Sequence, residues 1–256
     1  MTQPSRCRLD GRTALVTGAS RGIGAAVAQG LAAAGADLVL TARHERDLQH
    51  VADRLAGEHR VEVTTLTADL AAPEAAPDLA GRAWEAAGRL DILVNNAGIS
   101  IPALATDVTG ADYDAVMAVN VRTPSLLAAD LGGRMARSGG GRIVTIASVA
   151  GLRAPPEHYV YCMSKAAIIM AGKVLALELG GAGVRVNTVC PTVVLTEMGT
   201  QVWGDPAKSA PMLARIPAGH FAQPADVVDA VVYLASDAAE MLNVTELVID
   251  GGFSTA

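Results

Sequence analysis

Thr13-Ala14-Leu15-Val16-Thr17 runs directly into Gly18-Ala19-Ser20-Arg21-Gly22-Ile23-Gly24, and from there into the alanine-rich run Ala25-Ala26-Val27-Ala28. The first five residues are apolar or β-branched and predict a buried strand. The glycines predict a tight turn, because a residue without Cβ reaches backbone conformations closed to others. The run that follows predicts a helix over 22–34. Strand, glycine turn and helix in that order form a phosphate cradle. Backbone N–H groups can approach a pyrophosphate, and the helix N-terminus adds unpaired donors and the positive end of its dipole. The spacing is Gly-x-x-x-Gly-x-Gly, not the commoner Gly-x-Gly-x-x-Gly of dinucleotide sites. Gly18, Ser20, Arg21, Gly22, Ile23 and Gly24 are therefore candidate dinucleotide-binding residues.

Outward from this turn, short apolar runs alternate with longer helical ones. Strands are predicted over 13–17, 37–41, 61–67, 92–95, 142–146, 185–189 and 247–249, and helices over 22–34, 45–58, 77–88, 112–138, 160–181 and 224–235. Several of the strand runs are almost wholly apolar, as expected of a parallel sheet covered on both faces. The alternation continues without a Ser- and Pro-rich linker. It predicts one α/β domain over 1–256, a doubly wound, Rossmann-like parallel sheet with helices on both faces. Residues 193–219 break the pattern. They hold Trp203, Pro206, Pro211 and Pro217 and follow a strand's carboxyl end, where open α/β sheets bind ligands. They are read as a segment that covers the substrate.

Composition narrows the partners. The 256 residues are 51% hydrophobic but only 3% aromatic, so Ala, Val, Leu and Ile must fill the core. A net charge of −6 gives no reason to expect nucleic acid. No uninterrupted apolar run reaches the ~18 residues of a membrane span, and no membrane is expected. Met1 to Arg8 lack the apolar stretch of a signal peptide and are read as a short frayed lead-in. Cys7, Cys162 and Cys190 form no metal-ligand spacing, and His44, His50, His59 and His220 have no partners that suggest one. The expectation is a reduced, cytoplasmic protein without a metal.

The choice of dinucleotide is made at the end of the second strand, Leu40-Thr41-Ala42-Arg43. An acidic residue there would bond the adenosine ribose and repel a 2′-phosphate. Ala42 is not acidic, Arg43 adjoins it, and Arg21 in the turn can close on the same phosphate. The expected cofactor is NADP(H).

Tyr161 and Lys165 share one helix face four residues apart, and Ser148 precedes them. A cation beside a phenol would lower its pKa from about 10 toward working pH, as proton exchange with a carbonyl or an alcohol requires.

Thr17 to Gly24, Asp69, Asn95-Asn96-Ala97-Gly98, Asn120, Ser148, Tyr161-Cys162-Met163-Ser164-Lys165 and Asp250-Gly251-Gly252 stand in the order of one family. Over essentially its whole length the chain resembles the short-chain dehydrogenases/reductases. The resemblance implies a catalytic tetrad of Asn120, Ser148, Tyr161 and Lys165, with Asn120 holding a water that links Lys165 to solvent. It puts Asp69, with Leu70, at the adenine end and Asn96, Ala97 and Gly98 along the ribose path. Lys165 would also bond the nicotinamide ribose, and Pro191, Val194 and Thr196 would meet the carboxamide.

The second half, with Thr192 where most of the family has glycine, is more narrowly similar to the family's reductases of small ketoses and vicinal dicarbonyls. The loop over 149–160 departs from them. His158, Thr192 and Trp203 are candidate substrate contacts. For His158 a solvated loop histidine is the alternative, and Trp203 either walls the pocket or packs between subunits. The expected reaction is NADPH-dependent reduction of a small carbonyl compound, and the partners are a carbonyl or polyol substrate and further copies in a homotetramer. A 3-oxoacyl thioester substrate, sugar-alcohol oxidation and an NADP(H)-binding regulator without turnover are the alternatives.

Overall fold

The computed structural model describes residues 5–255. Of the lead-in, Met1 to Pro4 lie outside the described residues; Ser5–Cys7 form a short 3-10 turn, and Leu9 is already in the core. Seven strands follow: β1 (Thr13–Thr17), β2 (Asp37–Ala42), β3 (Val63–Thr67), β4 (Ile92–Asn95), β5 (Gly141–Ile146), β6 (Val184–Pro191) and β7 (Glu246–Ile249). They form one parallel sheet in the order β3-β2-β1-β4-β5-β6-β7. The order reverses between β1 and β4, where Ala14, Leu15 and Val16 pair with Ile92, Leu93 and Val94. Ligands bind beyond the strand ends at such a reversal.

The helices are α1 (Gly22–Ala34), α2 (Glu45–Glu58), α3 (Ala75–Ala87), α4 (Gly110–Met117), α5 (Thr123–Arg137), α6 (Tyr159–Leu179), α7 (Glu197–Trp203), α8 (Pro206–Leu213) and α9 (Pro224–Ala235). Parallel strands need crossovers, and these cover both faces. Val27 and Leu31 of α1, Leu48 of α2 and Val231 of α9 pack on one face with Val16 and Leu40. On the other face, Leu79 of α3, Leu127 of α5 and Ala176 of α6 pack with Leu15 and Leu93.

One expectation changes. The helix predicted over 112–138 is α4 and α5 joined by a π turn at Ala118–Arg122. Pro124 supplies the reason: it has no N–H for the carbonyl of Asn120, and its ring would crowd that carbonyl in a regular helix. Residues 193–219, outside the strand–helix alternation, hold the short helices α7 and α8 and are pinned near the start by a bridge between Val194 and Ala222. α6 is long and apolar enough to cross a membrane, but here one face lies on the sheet and it carries Tyr161 and Lys165.

Candidate active site

Gly18 and Gly22 have φ of 66° and 59°, the left-handed region in which a side chain is strained. Gly24 is required for space. A Cβ there would lie 2.2 Å from the Gly18 carbonyl oxygen and 2.4 Å from Asn96 Nδ2. That amide donates to the carbonyls of Thr17 (2.9 Å) and Gly18 (3.3 Å), while Thr17 Oγ1 accepts the N–H groups of Asn96 (2.9 Å) and Ala97 (3.1 Å). Asn96, expected along a ribose path, thus braces the glycine turn against β4. Thr17, the last residue of β1, is the post that receives this strand end.

Arg21 stands at the N-cap of α1 without a side-chain cap, so the donors of the first turn are left to the cradle. A Cβ on Gly22 would meet the Thr196 methyl at 3.7 Å, which puts the start of the covering segment over the turn. Arg43 and Arg21 are exposed, and Ala42 leaves no carboxylate at the end of β2. Asp69 is exposed beyond β3, with Oδ1 accepting the N–H of Ala71 (3.0 Å). The carbonyl of the buried Leu70 beside it accepts the Thr123 hydroxyl (2.7 Å). A glycine cradle, an open helix end and two arginines fit a phosphorylated dinucleotide.

Ser148 ends the chain segment that follows β5. Its Oγ accepts the N–H of Ala150 at 3.1 Å and shares a hydrogen bond with the Tyr161 phenol. Lys165, 5% exposed, donates from Nζ to the Ile146 carbonyl at 2.9 Å and lies 5.6 Å from the Tyr161 ring centroid. Burial pushes its ammonium down to about 8. Tyr161 departs from expectation. Its burial raises the phenol above the ordinary value of 10, and the Ser148 hydrogen bond works against that rise without cancelling it. Desolvation of the anion is the dominant cause, and Lys165 Nζ sits toward the ring rather than bonded to the oxygen.

The Asn120 side chain makes three hydrogen bonds. Its Oδ1 accepts the N–H of Ile99 (2.8 Å), and its Nδ2 donates to the Ile99 carbonyl (2.8 Å) and to Ser164 Oγ (3.0 Å). Both amide hydrogens are committed, so the side chain clamps Ile99 to Ser164. The π turn is what aims it at Ile99 and Ser164, and Pro124 was its signal in the sequence.

Two further residues went unassigned in the sequence. Ser164, fully buried, donates to the Tyr161 carbonyl at 2.7 Å and so links Asn120 to the catalytic helix; a serine on the buried face of an apolar helix was the clue. Gly151 carries the turn after Ser148 against α6. A Cβ there would lie 2.8 Å from Ile169 Cδ1 and 2.8 Å from the Lys165 carbonyl carbon.

The model of the family described as enoyl-(acyl carrier protein) reductase matches residues 18–254. The chain is 44% identical to D-threitol dehydrogenase of Mycolicibacterium smegmatis, over 96% of this chain and 94% of that protein. It is 40% identical to L-xylulose reductase of Bos taurus, over 96% and 98%. The chain belongs to the short-chain dehydrogenase/reductase family. The fold agrees: a gluconate 5-dehydrogenase from Burkholderia cenocepacia, solved in complex with NADP and tartrate, superposes with a TM-score of 0.92 at 33% identity, over 98% of each chain. The protein is therefore an enzyme acting on CH–OH and C=O groups.

Around this short-chain dehydrogenase/reductase centre the candidate substrate contacts separate. His158 Nδ1 lies 2.8 Å from the Pro156 carbonyl oxygen, which can only accept. Nδ1 therefore carries the proton and Nε2 is left as an acceptor. The ring stands edge-on to Tyr161 at 6.0 Å. Trp203 packs within its own chain, tilted against Phe221 at 5.6 Å. Thr192 follows Pro191 at the carboxyl end of β6. Its N–H donates to the Ile249 carbonyl (3.0 Å), and its buried hydroxyl has no partner among the described residues. Tyr159 is 53% exposed. Burial pushes Cys190 up to about 11 and Cys162 also upward, so both stay thiols.

Proposed function

We propose that the enzyme reduces a small polar ketone to the alcohol with NADPH, a four- or five-carbon ketose or a vicinal dicarbonyl. The Thr192 hydroxyl carries this reading. A buried hydroxyl left without a hydrogen bond is unfavourable by about 1–3 kcal/mol, and a substrate oxygen next to the reacting carbonyl would repair it. A long acyl chain would not. The Nε2 of His158 adds an acceptor for a substrate hydroxyl, and the similarity to L-xylulose reductase supports the same class.

NADPH, when bound in the glycine cradle, supplies the hydride. Ser148 holds the carbonyl oxygen by a hydrogen bond that strengthens as charge develops. Tyr161, kept protonated by burial, donates its proton to that oxygen. Lys165, cationic below about pH 8, receives the negative charge that then appears on the phenolic oxygen. Asn120 keeps Ile99 and Ser164 in place, and its main-chain carbonyl, denied an N–H by Pro124, is the group that holds a relay water. Arg21 and Arg43 pair the 2′-phosphate. Pro191, Val194 and Thr196 meet the carboxamide, and Asp69 the adenine end.

A second reading is oxidation of a small polyol by the same groups in reverse, favoured by the 44% identity to D-threitol dehydrogenase. Met170, Val174 and Leu177 of α6 and Leu126 of α5 are exposed apolar residues, Leu177 to 84%, which supports a homotetramer paired through these helices. The unpaired thiols support a cytoplasmic setting.

Specificity constants decide among these. L-xylulose, diacetyl, several polyols and a 3-oxoacyl thioester are compared with NADPH and with NADH. A ketose or dicarbonyl with NADPH is expected to lead. A thioester exceeding every ketose and dicarbonyl overturns the substrate reading, and a preference for NADH overturns the cofactor reading.

A further inference from the structure

Asp250-Gly251-Gly252 lies between the two sides of the substrate site. The Asp250 carboxylate accepts the N–H groups of Gly252 (2.9 Å) and Ser254 (2.7 Å), folding the chain end into the 3-10 turn Phe253–Thr255. Burial alone would raise that carboxyl. The bonds from Ser254 and Gly252, with the Arg153 guanidinium nearby, hold it below its ordinary value.

On one side the turn grips the loop after Ser148. Arg153 Nη1 donates to the Phe253 carbonyl at 2.9 Å, and Phe253 shares an apolar cluster with Val149. On the other side it grips the covering segment. The N–H of Ala218 donates to the Gly251 carbonyl at 3.0 Å, and the Arg215 guanidinium lies 4.8 Å over the Phe253 ring. Gly251, at φ 59°, permits this approach; a Cβ there would stand 2.8 Å from both Ile216 Cγ2 and Ala218 Cβ.

We propose that Arg153 is a positioning residue which, through the C-terminal turn, ties the loop following Ser148 to the covering segment and so fixes the separation of the two sides of the substrate site. This rests on the reading above that these two segments enclose the substrate. Arg153 acts through Phe253 on both sides at once. The tie meets the covering segment at Arg215 and Ala218, apart from Val194 and Thr196 at its start, which the bridge from Val194 to Ala222 holds independently. Loosening it therefore acts on substrate affinity rather than on cofactor affinity.

The test uses Arg153→Met and Arg153→Lys in the full chain. For Arg153→Met the KM of the best carbonyl substrate is expected to rise about tenfold, with kcat within about threefold and the KM for NADPH unchanged. Tryptic cleavage at Lys208, inside α8, is expected to accelerate about tenfold as the segment opens more often. Arg153→Lys, which keeps a cationic donor, is expected to recover part of both. A carbonyl KM within about twofold of the parent, a KM for NADPH that rises in step, or unchanged cleavage overturns the proposal. If Arg153→Met does not fold, a chain ending at Gly252, which lacks the Phe253 carbonyl and ring, is held to the same outcomes. A parent enzyme that turns over no ketose or dicarbonyl overturns the functional reading instead, and the cleavage comparison then decides the role of Arg153 by itself.

Discussion

The two edges of the sheet use charge in opposite ways. At the amino edge, Arg12 pairs with Asp237, and Arg142 and Arg185 share Glu240, with Arg185 Nη2 2.9 Å from Oε1. Three strands are tied there to the turn before β7. Arg142 is buried, and of its guanidinium only Nε lacks a partner among the described residues. At the carboxyl edge, Lys165 is equally buried and meets a carbonyl instead of a carboxylate. Thr41 Oγ1, Asn95 Oδ1 and Thr192 Oγ1 are buried there without protein partners among the described residues. Buried polar groups are normally satisfied. An edge that satisfies its own groups contributes stability, and an edge that leaves them open can accept a ligand.

The largest test of this contrast is Lys165→Met. Turnover should fall by at least about 100-fold, since the charge that follows proton transfer loses its counter-ion. Stability should move the other way. The folded value of about 8 lies below the ordinary 10.5, so the stabilisation linked to this group is present above pH 10.5 and lost as pH falls through about 8. Thermal melts should find the variant more stable than the parent at pH 7, with the gap closing toward pH 10. A variant less stable at pH 7 breaks the contrast. For the parent, the same titration predicts that reductive kcat declines as pH rises through about 8, measured with saturating NADPH.

Gly151→Ala comes next. Its Cβ must push the Ser148 turn off Ile169 and the Lys165 carbonyl, and small displacements at a reacting centre cost up to about 100-fold. We expect kcat to fall about 10- to 100-fold with NADPH binding intact, by stopped-flow fluorescence. Unchanged kcat would mean that the turn relaxes freely.

Glu240→Ala should act on the amino edge alone. It leaves the buried Arg142 and Arg185 with fewer partners. Because Glu240 is itself about half exposed, the loss should be about 1–3 kcal/mol rather than the full penalty of a broken buried pair. Urea melts should record it, and kcat/KM should stay within about twofold; a kinetic effect as large as that of Gly151→Ala would join the two edges.

The smallest effects belong to two residues in left-handed conformations, one at each edge: Glu157 at φ 63°, before His158, and Val244 at φ 70°, before β7. Either changed to glycine should gain about 1 kcal/mol or less. Only Glu157→Gly should also alter the carbonyl KM, because the Glu157 carbonyl accepts the Ala103 N–H and holds the His158 loop.

Much of this was legible along the chain. The strand 13–17, the helices 22–34, 45–58 and 224–235 and the glycine turn follow from local periodicity and from the backbone freedom of glycine, which neighbouring residues alone dictate, and the strand–helix alternation implied a parallel sheet. Tyr161 and Lys165 were legible because a helix brings positions four apart to one face. What the sequence did not disclose depends on contacts between distant segments. Burial, which no spacing encodes, raises Tyr161 instead of lowering it and brings Lys165 down. The clamp that the Asn120 side chain makes on Ile99 and Ser164 exists because a π turn aims it there. The C-terminal turn reaches both Arg153 and Arg215 only after the sheet has brought the ends of β5, β6 and β7 together. Sequence determined which groups are available, and tertiary packing determined their partners and solvation, because hydrogen bonding and desolvation are set by what lies nearby in space rather than along the chain.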